Sequence, residues 1–233
     1  MTLPEQPRIA LIHALAESIL PAQAAFAAEW PEAFCFDLLD TSLAVDLAEA
    51  GQLNAAMIER FQALADYATG YEGKSGRTRA ILFTCSAFGP AIDAVKARLP
   101  IPVLRPNEAA FEQALVLGDS IGLVVTFGPS LHALQSELED MAAAQGRKIT
   151  VKPVLAEGAL AALKSGDGET HDRLTAEACR DLGPLDVLIL GQFSLARAAP
   201  GLRSLLPVPV LTTPDCAVRT LRAQLNRPAT LRS

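Results

Sequence analysis

The sequence predicts an α/β protein of two similar lobes, each a parallel sheet flanked by helices, related by pseudo-twofold symmetry with a site between them. Three observations carry this. Short apolar runs alternate with longer Ala- and Leu-rich stretches, the pattern of strands whose two faces are covered by helices. The order of elements restarts near the middle of the chain. Within the first half, Ala80 to Pro90 (AILFTCSAFGP) reads as a buried strand, a tight turn and a helix start, with a thiol at the turn.

In order, Arg8 to His13 (RIALIH) is a first strand, Ser18 to Trp30 a helix, and Phe34 to Leu39 (FCFDLL) a second strand. Leu43 to about Tyr67 reads as helix broken near Gly51, with Met57, Phe61 and Leu64 at core spacing. Gly70 to Thr78 is a polar loop. Ala80 to Phe83 is the third strand, Ala91 to Leu99 a helix, Ile101 to Leu104 a short fourth strand and Asn107 to Leu117 a helix. The pattern then repeats: strand Ile121 to Thr126, helix Leu131 to Gln145, strand Lys148 to Leu155, helix Glu157 to about Leu163. Lys164 to His171 (KSGDGETH) is a loop, Asp172 to Leu182 a helix and Val187 to Leu190 a strand. Val208 to Leu211 is the last strand, before the helix Asp215 to Leu225.

The restart is visible residue by residue. A shift of 107 positions lays Leu99 to Leu104 (LPIPVL) on Leu206 to Leu211 (LPVPVL) and Cys85 on Gln192; a shift of 112 lays RIALI at Arg8 on SIGLV at Ser120. The expected division is residues 1–105 plus 208–233 for one lobe and 106–207 for the other, with the last strand and helix returning to the first lobe. Ligands in open α/β sheets bind at the carboxyl ends of strands, so Cys85 and Gln192 are expected on opposite walls of a cleft.

Composition narrows the function. Half of the 233 residues are hydrophobic and a fifth are charged, a globular balance. The formal charge of −6 offers no basic stripe, which argues against nucleic acid as a partner. No apolar run reaches the roughly 18 residues of a bilayer span, so no membrane partner is expected. MTLPEQPR lacks a signal pattern, which predicts a cytoplasmic location. Cys35, Cys85, Cys179 and Cys216 show no CxxC spacing, and His13, His132 and His171 form no ligand pair, so neither a disulfide framework nor a metal is expected. No GxGxxG or Walker pattern follows a strand.

Cys85 is the candidate catalytic residue: a thiol leaving a strand at a helix start, where the positive helix end favours thiolate. Cys35, Cys179 and Cys216 read as packing residues, with Cys216 an outside candidate near the cleft. Thr84 and Ser86 beside the thiol, and Ser194 after Gln192, are candidate substrate-binding hydroxyls or plain N-caps. Gln192 reads as a spacer or as an amide that binds a carboxylate or enediolate oxygen. His13 ends the first strand as an acid/base candidate or a hydrogen-bonded structural histidine. His132 and His171 read as solvated.

A strand ending in cysteine in the first third, an equivalent strand ending in Gly-x near residue 190, and the LIHAL and LPVPVL stretches together resemble the aspartate/glutamate/hydantoin racemase superfamily. That group also includes arylmalonate decarboxylase and maleate isomerase. The resemblance implies a cofactor-independent enzyme acting on a small carboxylate of amino acid, dicarboxylate or malonate type. Relatives are often dimeric, which makes a homodimer an expectation. In the racemases a cysteine from each half works on either face of the α-carbon, and Cys85 matches the first. Thr126 and Ser130, in VTFGPS, resemble family residues that bind a carboxylate. Gln192 stands where the second cysteine is expected, and an amide has no titratable proton, so single-thiol chemistry replaces two-base racemisation. The implied activity is isomerase-like, decarboxylase-like or maleate-isomerase-like, with a non-catalytic carboxylate-binding relative as the rival.

Overall fold

The computed structural model describes residues 6–226. These divide into two compact units, 6–106 with 217–226 and 107–216. The terminal residues 1–5 and 227–233, counted with the first lobe above, lie outside the described residues.

The first unit is a sheet with helices. Strands β1 (Arg8–His13), β2 (Phe34–Leu39), β4 (Gly76–Phe83) and β5 (Val103–Leu104) run parallel in the order β2-β1-β4-β5. β1 is central, and all of it beyond Arg8 is buried, as a strand covered on both faces requires. Helices α1 (Ile19–Glu29), α2 (Ser42–Ala50), α3 (Ala55–Gly70) and α4 (Gly89–Arg98) connect the strands. The break at Gly51 is real: this glycine caps α2 at φ 69°, and Asn54 then caps α3 by accepting from the Met57 backbone nitrogen at 3.0 Å.

The polar stretch from Gly70 to Thr78 is not simply a loop. Glu72–Gly73 forms β3, which pairs antiparallel with the start of β4, so that strand begins at Gly76 rather than Ala80. Ser75 and Gly76 turn the hairpin with φ of 67° and 76°. The hairpin has no apolar alternation of its own, which is why periodicity misses it.

The second unit repeats the topology. Strands β6 (Ser120–Val125), β7 (Thr150–Leu155), β8 (Val187–Leu190) and β9 (Val210–Thr212) run parallel in the order β7-β6-β8-β9. Its helices are α5 (Glu108–Leu117), α6 (Gly128–Ala144), α7 (Ala159–Lys164), α8 (Gly168–Ala178) and α9 (Ala199–Leu205). Central β6 is buried beyond Ser120, and β8 throughout. The outer strand β7 carries Pro153, which keeps its place opposite Leu123 without a backbone donor.

The strand expected to return to the first lobe does not do so. β9 pairs with β8, as β5 pairs with β4, because each half closes its own sheet with its LPxPVL strand. The final helix, α10 (Thr213–Asn226), groups with the first unit only from Ala217 onward. The stretch from Lys164 to His171 is also shorter as a loop than expected. Asp167 caps α8 through the Thr170 backbone nitrogen, so the helix starts at Gly168. His171 is therefore helical and fully buried, not solvated. His132, early in α6, is exposed as expected.

Candidate functional site

The first group of candidate residues gathers at the carboxyl ends of β1 and β4. Phe83 and Phe88 bracket Cys85, and both pack on Phe61 of α3, with ring centroids 5.3 and 4.8 Å away. All three rings are buried, so one aromatic cluster pins the turn on both sides of the thiol. The chain leaves β4 through Thr84, whose backbone nitrogen donates to the Ile12 carbonyl at 3.0 Å, extending the ladder to β1 by one bond.

Cys85 is half-buried, in extended conformation, at the start of a short 3-10 turn, Ser86–Phe88, that leads into α4. Burial pushes its thiol up to about 11, and the Ala87 backbone N–H pulls only weakly the other way. The expected thiolate is thus corrected to a neutral thiol. The helix start adds a single N–H to the sulfur, and desolvation against the Phe61 cluster outweighs it. Cys35 in β2 is held higher still, at about 12, by burial and by Asp37. Cys179, at the end of α8, is buried, and its thiol is pushed up to about 11 by burial. Cys216 on α10 is buried, with its thiol 3.1 Å from the Gln113 side-chain oxygen.

Thr84, the residue before the thiol, meets His13. The Thr84 Oγ1 is 2.8 Å from His13 Nδ1, and His13 Nε2 is 3.0 Å from Asp37 Oδ1 on β2. Gln23 of α1 donates to the other Asp37 oxygen at 2.8 Å. A carboxylate only accepts, so Nε2 carries the proton and donates to Asp37, and Nδ1 accepts from the Thr84 hydroxyl. Thr84 is therefore tied to an imidazole and does not cap a helix. His13 is wholly buried with both ring nitrogens engaged, which makes it the hydrogen-bonded histidine of the two readings. Burial lowers its pKa below 6.5, the Asp37 contact only partly offsetting it. Asp37 and Gln23 were missed from sequence. The available signal was an acidic residue interrupting the apolar run FCFDLL. Ser86 is half-buried in the turn.

The second group gathers at the ends of β6 and β8. Gly191 lies so close to β6 that a Cβ there would stand 3.0 Å from both the Leu123 side chain and the Val124 carbonyl. That approach brings Gln192 to Thr126. The Gln192 Oε1 accepts from the Thr126 backbone nitrogen at 2.7 Å and from its hydroxyl at 2.8 Å, and Nε2 donates to Ser130 Oγ at 3.2 Å. The Ser130 hydroxyl donates onward to the Phe127 carbonyl at 2.8 Å. The Gln192 amide is thus held by three hydrogen bonds within the second unit. Its oxygen is saturated, and one N–H of its Nε2 is left for a further acceptor. Ser194 is buried in the 3-10 turn Phe193–Ala198 that follows.

Each group thus lies at the strand ends of its own unit, where an α/β sheet presents its ligand-binding residues. Among the described residues no helix is long and apolar enough to cross a membrane.

Solved structures share this fold. Allantoin racemase from Klebsiella pneumoniae superposes with a TM-score of 0.67 at 19% identity, over 94% of this chain and 88% of that one. Allantoin racemase from Pseudomonas fluorescens gives 0.66 at 18%, over 94% and 90%. Glutamate racemase RacE1 from Bacillus anthracis gives 0.66 at 14%, over 95% and 82%. No curated protein matches in sequence. Residues 15–221 match the Asp/Glu/Hydantoin racemase family, and the chain, which carries two copies of one sheet topology, belongs to that family of isomerases.

Proposed function

We propose that the protein is a cofactor-independent enzyme that acts on a small carboxylate of amino acid, dicarboxylate or malonate type, with Cys85 as its single thiol acid. The observation that carries this reading is the place of Cys85, half-buried at the carboxyl end of β4 where a 3-10 turn leads into α4. A group held at about 11 is about one part in ten thousand thiolate at neutral pH. It is therefore a poor nucleophile at rest and a weak acid, protonated at neutral pH and able to give its proton to a strongly basic carbanion such as an enediolate.

In the step this suits, the bond from the α-carbon to a carboxyl group breaks, carbon dioxide leaves, and the electron pair moves onto the remaining carboxylate as an enediolate. The Sγ–H bond of Cys85 then breaks as a C–H bond forms, and the thiolate left behind regains a proton from water. Gln192, with no titratable proton, cannot serve as a second acid or base, so loss of carbon dioxide followed by protonation fits better than two-base racemisation. Thiolate addition of the maleate-isomerase kind is disfavoured by the same high pKa. A thiol that must stay reduced suits the cytoplasm.

A second reading is racemisation on a hydantoin-type ring, favoured by the allantoin racemases among the similar structures. Both are tested by incubating the protein in deuterated water with aspartate, glutamate, hydantoins and arylmalonates, following α-deuteration and carbon dioxide by NMR. Carbon dioxide release from a malonate, abolished in Cys85→Ala, is the expected result. Racemisation with deuterium exchange favours the second reading. Ligand-induced thermal stabilisation with no exchange and no decarboxylation makes the protein a binding relative instead.

A further inference from the structure

We propose that His13 is a positioning residue for Cys85: a buried latch in which the imidazole, held by Asp37, sets the direction in which the Thr84 hydroxyl donates and so governs the strand exit that presents the thiol. This rests on the reading of Cys85 as the working thiol.

The geometry supplies partners for two states. With His13 neutral, Nε2–H donates to Asp37 and the Thr84 hydroxyl donates to Nδ1 at 2.8 Å. With His13 protonated, Nδ1 becomes a donor, and the Thr84 hydroxyl must give its own hydrogen elsewhere. The Ile12 carbonyl lies 3.4 Å from that hydroxyl and already holds the Thr84 backbone N–H. Protonation therefore turns one hydroxyl, places a cation against Thr84, the residue before the thiol, and leaves no polar atom of His13 or Thr84 orphaned. Thr84 and His13 are 4% and 0% exposed, so bulk water does not compete for these bonds.

The proton reaches His13 through Asp37, whose side chain is 28% exposed. The other groups around the ring do not displace it. On β2 the Cys35 thiol stays protonated, and on β4 Thr84 is uncharged. Beyond β2 the Asp40 backbone N–H donates to the His13 carbonyl, while its carboxylate is taken by Arg60 and Ser42. From α1, Gln23 reaches Asp37 as a neutral donor. Asp37 is thus the charged group that answers His13, and burial places the change below pH 6.5.

The test follows the full-length protein's Cys85 reactivity toward dithiodipyridine from pH 5 to 8, read by peptide mass spectrometry and divided at each pH by the rate of free glutathione. Below pH 8 both thiols gain thiolate tenfold per pH unit, so the ratio is flat unless another group intervenes. The latch predicts that the ratio rises about fivefold as pH falls through the His13 titration. The step is lost in His13→Gln and Thr84→Val and kept in Thr84→Ser. A flat wild-type ratio, or the same step in His13→Gln, overturns it.

Nitrogen NMR of the wild type's His13 ring gives an answer independent of any variant's folding. The Nε2–H tautomer at pH 7.5 is expected, and the Nδ1–H tautomer overturns the latch. A step in the ratio with no turnover of any substrate keeps the latch and removes the proposed activity. Turnover that needs Cys85 together with a flat ratio does the reverse.

Discussion

Gln192 sets its side-chain oxygen 2.7 Å from the backbone nitrogen of Thr126 and 2.8 Å from its hydroxyl, so two donors at the end of β6 are satisfied by the chain's own amide. A backbone N–H and a hydroxyl converging on one oxygen is also how a carboxylate is held. Removing the amide leaves those donors to solvent. Gln192→Ala is expected to cost about 1–3 kcal/mol in urea unfolding, and Gln192→Glu less, because its carboxylate keeps both acceptor bonds. Gln192→Cys installs a thiol at the repeat position of Cys85 and is expected to create or raise racemisation, measured by chiral chromatography. Unchanged activity in that variant removes the link between this position and two-base chemistry.

Cys85 should behave as a slow thiol. Its thiolate fraction at neutral pH is about a hundredfold below that of an ordinary cysteine, and the stronger nucleophilicity of a high-pKa thiolate returns about tenfold, so iodoacetamide should label it about tenfold slower than free cysteine. The rate should climb with pH without a plateau before about 11. Labelling should still precede that of Cys35, whose thiol is held near 12, and a bound carboxylate should protect it. A plateau near pH 8 would mean that the thiol is not desolvated.

Phe61 holds the thiol from a distance. Its ring supports Phe83 before Cys85 and Phe88 after it, so Phe61→Ala opens a cavity under both anchors. The expected loss is about 3–5 kcal/mol of stability in denaturant titration. Cys85 labelling should accelerate in the fraction that remains folded. Phe61→Leu, which refills much of the volume, should recover most of both.

His13 also leaves a signature in stability. Its folded pKa lies below the unfolded value of 6.5, so between the two the unfolded chain binds the extra proton. Stability is then fully present above pH 6.5 and declines as pH falls through the interval down to the folded pKa. Urea midpoints measured from pH 5 to 7.5 should show this decline in the wild type and a shallower one in His13→Gln. Equal slopes would show that the imidazole titrates alike in both states.

Much of the architecture was legible because buried parallel strands write themselves as apolar runs: RIALIH, AILF, SIGLVV and VLIL all emerge as strands. The family was legible for a related reason, since two copies of one strand order leave matching segments such as LPIPVL and LPVPVL. Those same segments held the correct place of β9, because a repeat unit that closes its own sheet in the first half does so in the second. The β3–β4 hairpin was hidden by its polarity, and the buried His171 by glycines that disguise the start of α8. At the site, the position of Cys85 was readable but its protonation state was not. A turn next to a helix start argues for thiolate, and burial against the core of the first unit reverses the sign. Hydrogen bonds between distant residues, such as His13 with Asp37 and Gln192 with Thr126, leave no periodic trace in a single sequence.

Pro153 has a consequence for how copies of this protein can meet. Its ring sits in the outermost strand of the second sheet while the ladder to β6 runs on past it, so the missing N–H belongs to the margin facing away from the sheet. A polypeptide approaching that margin to extend the sheet finds a pyrrolidine where it needs a donor, and runaway growth of cross-strand aggregates is blunted at that side.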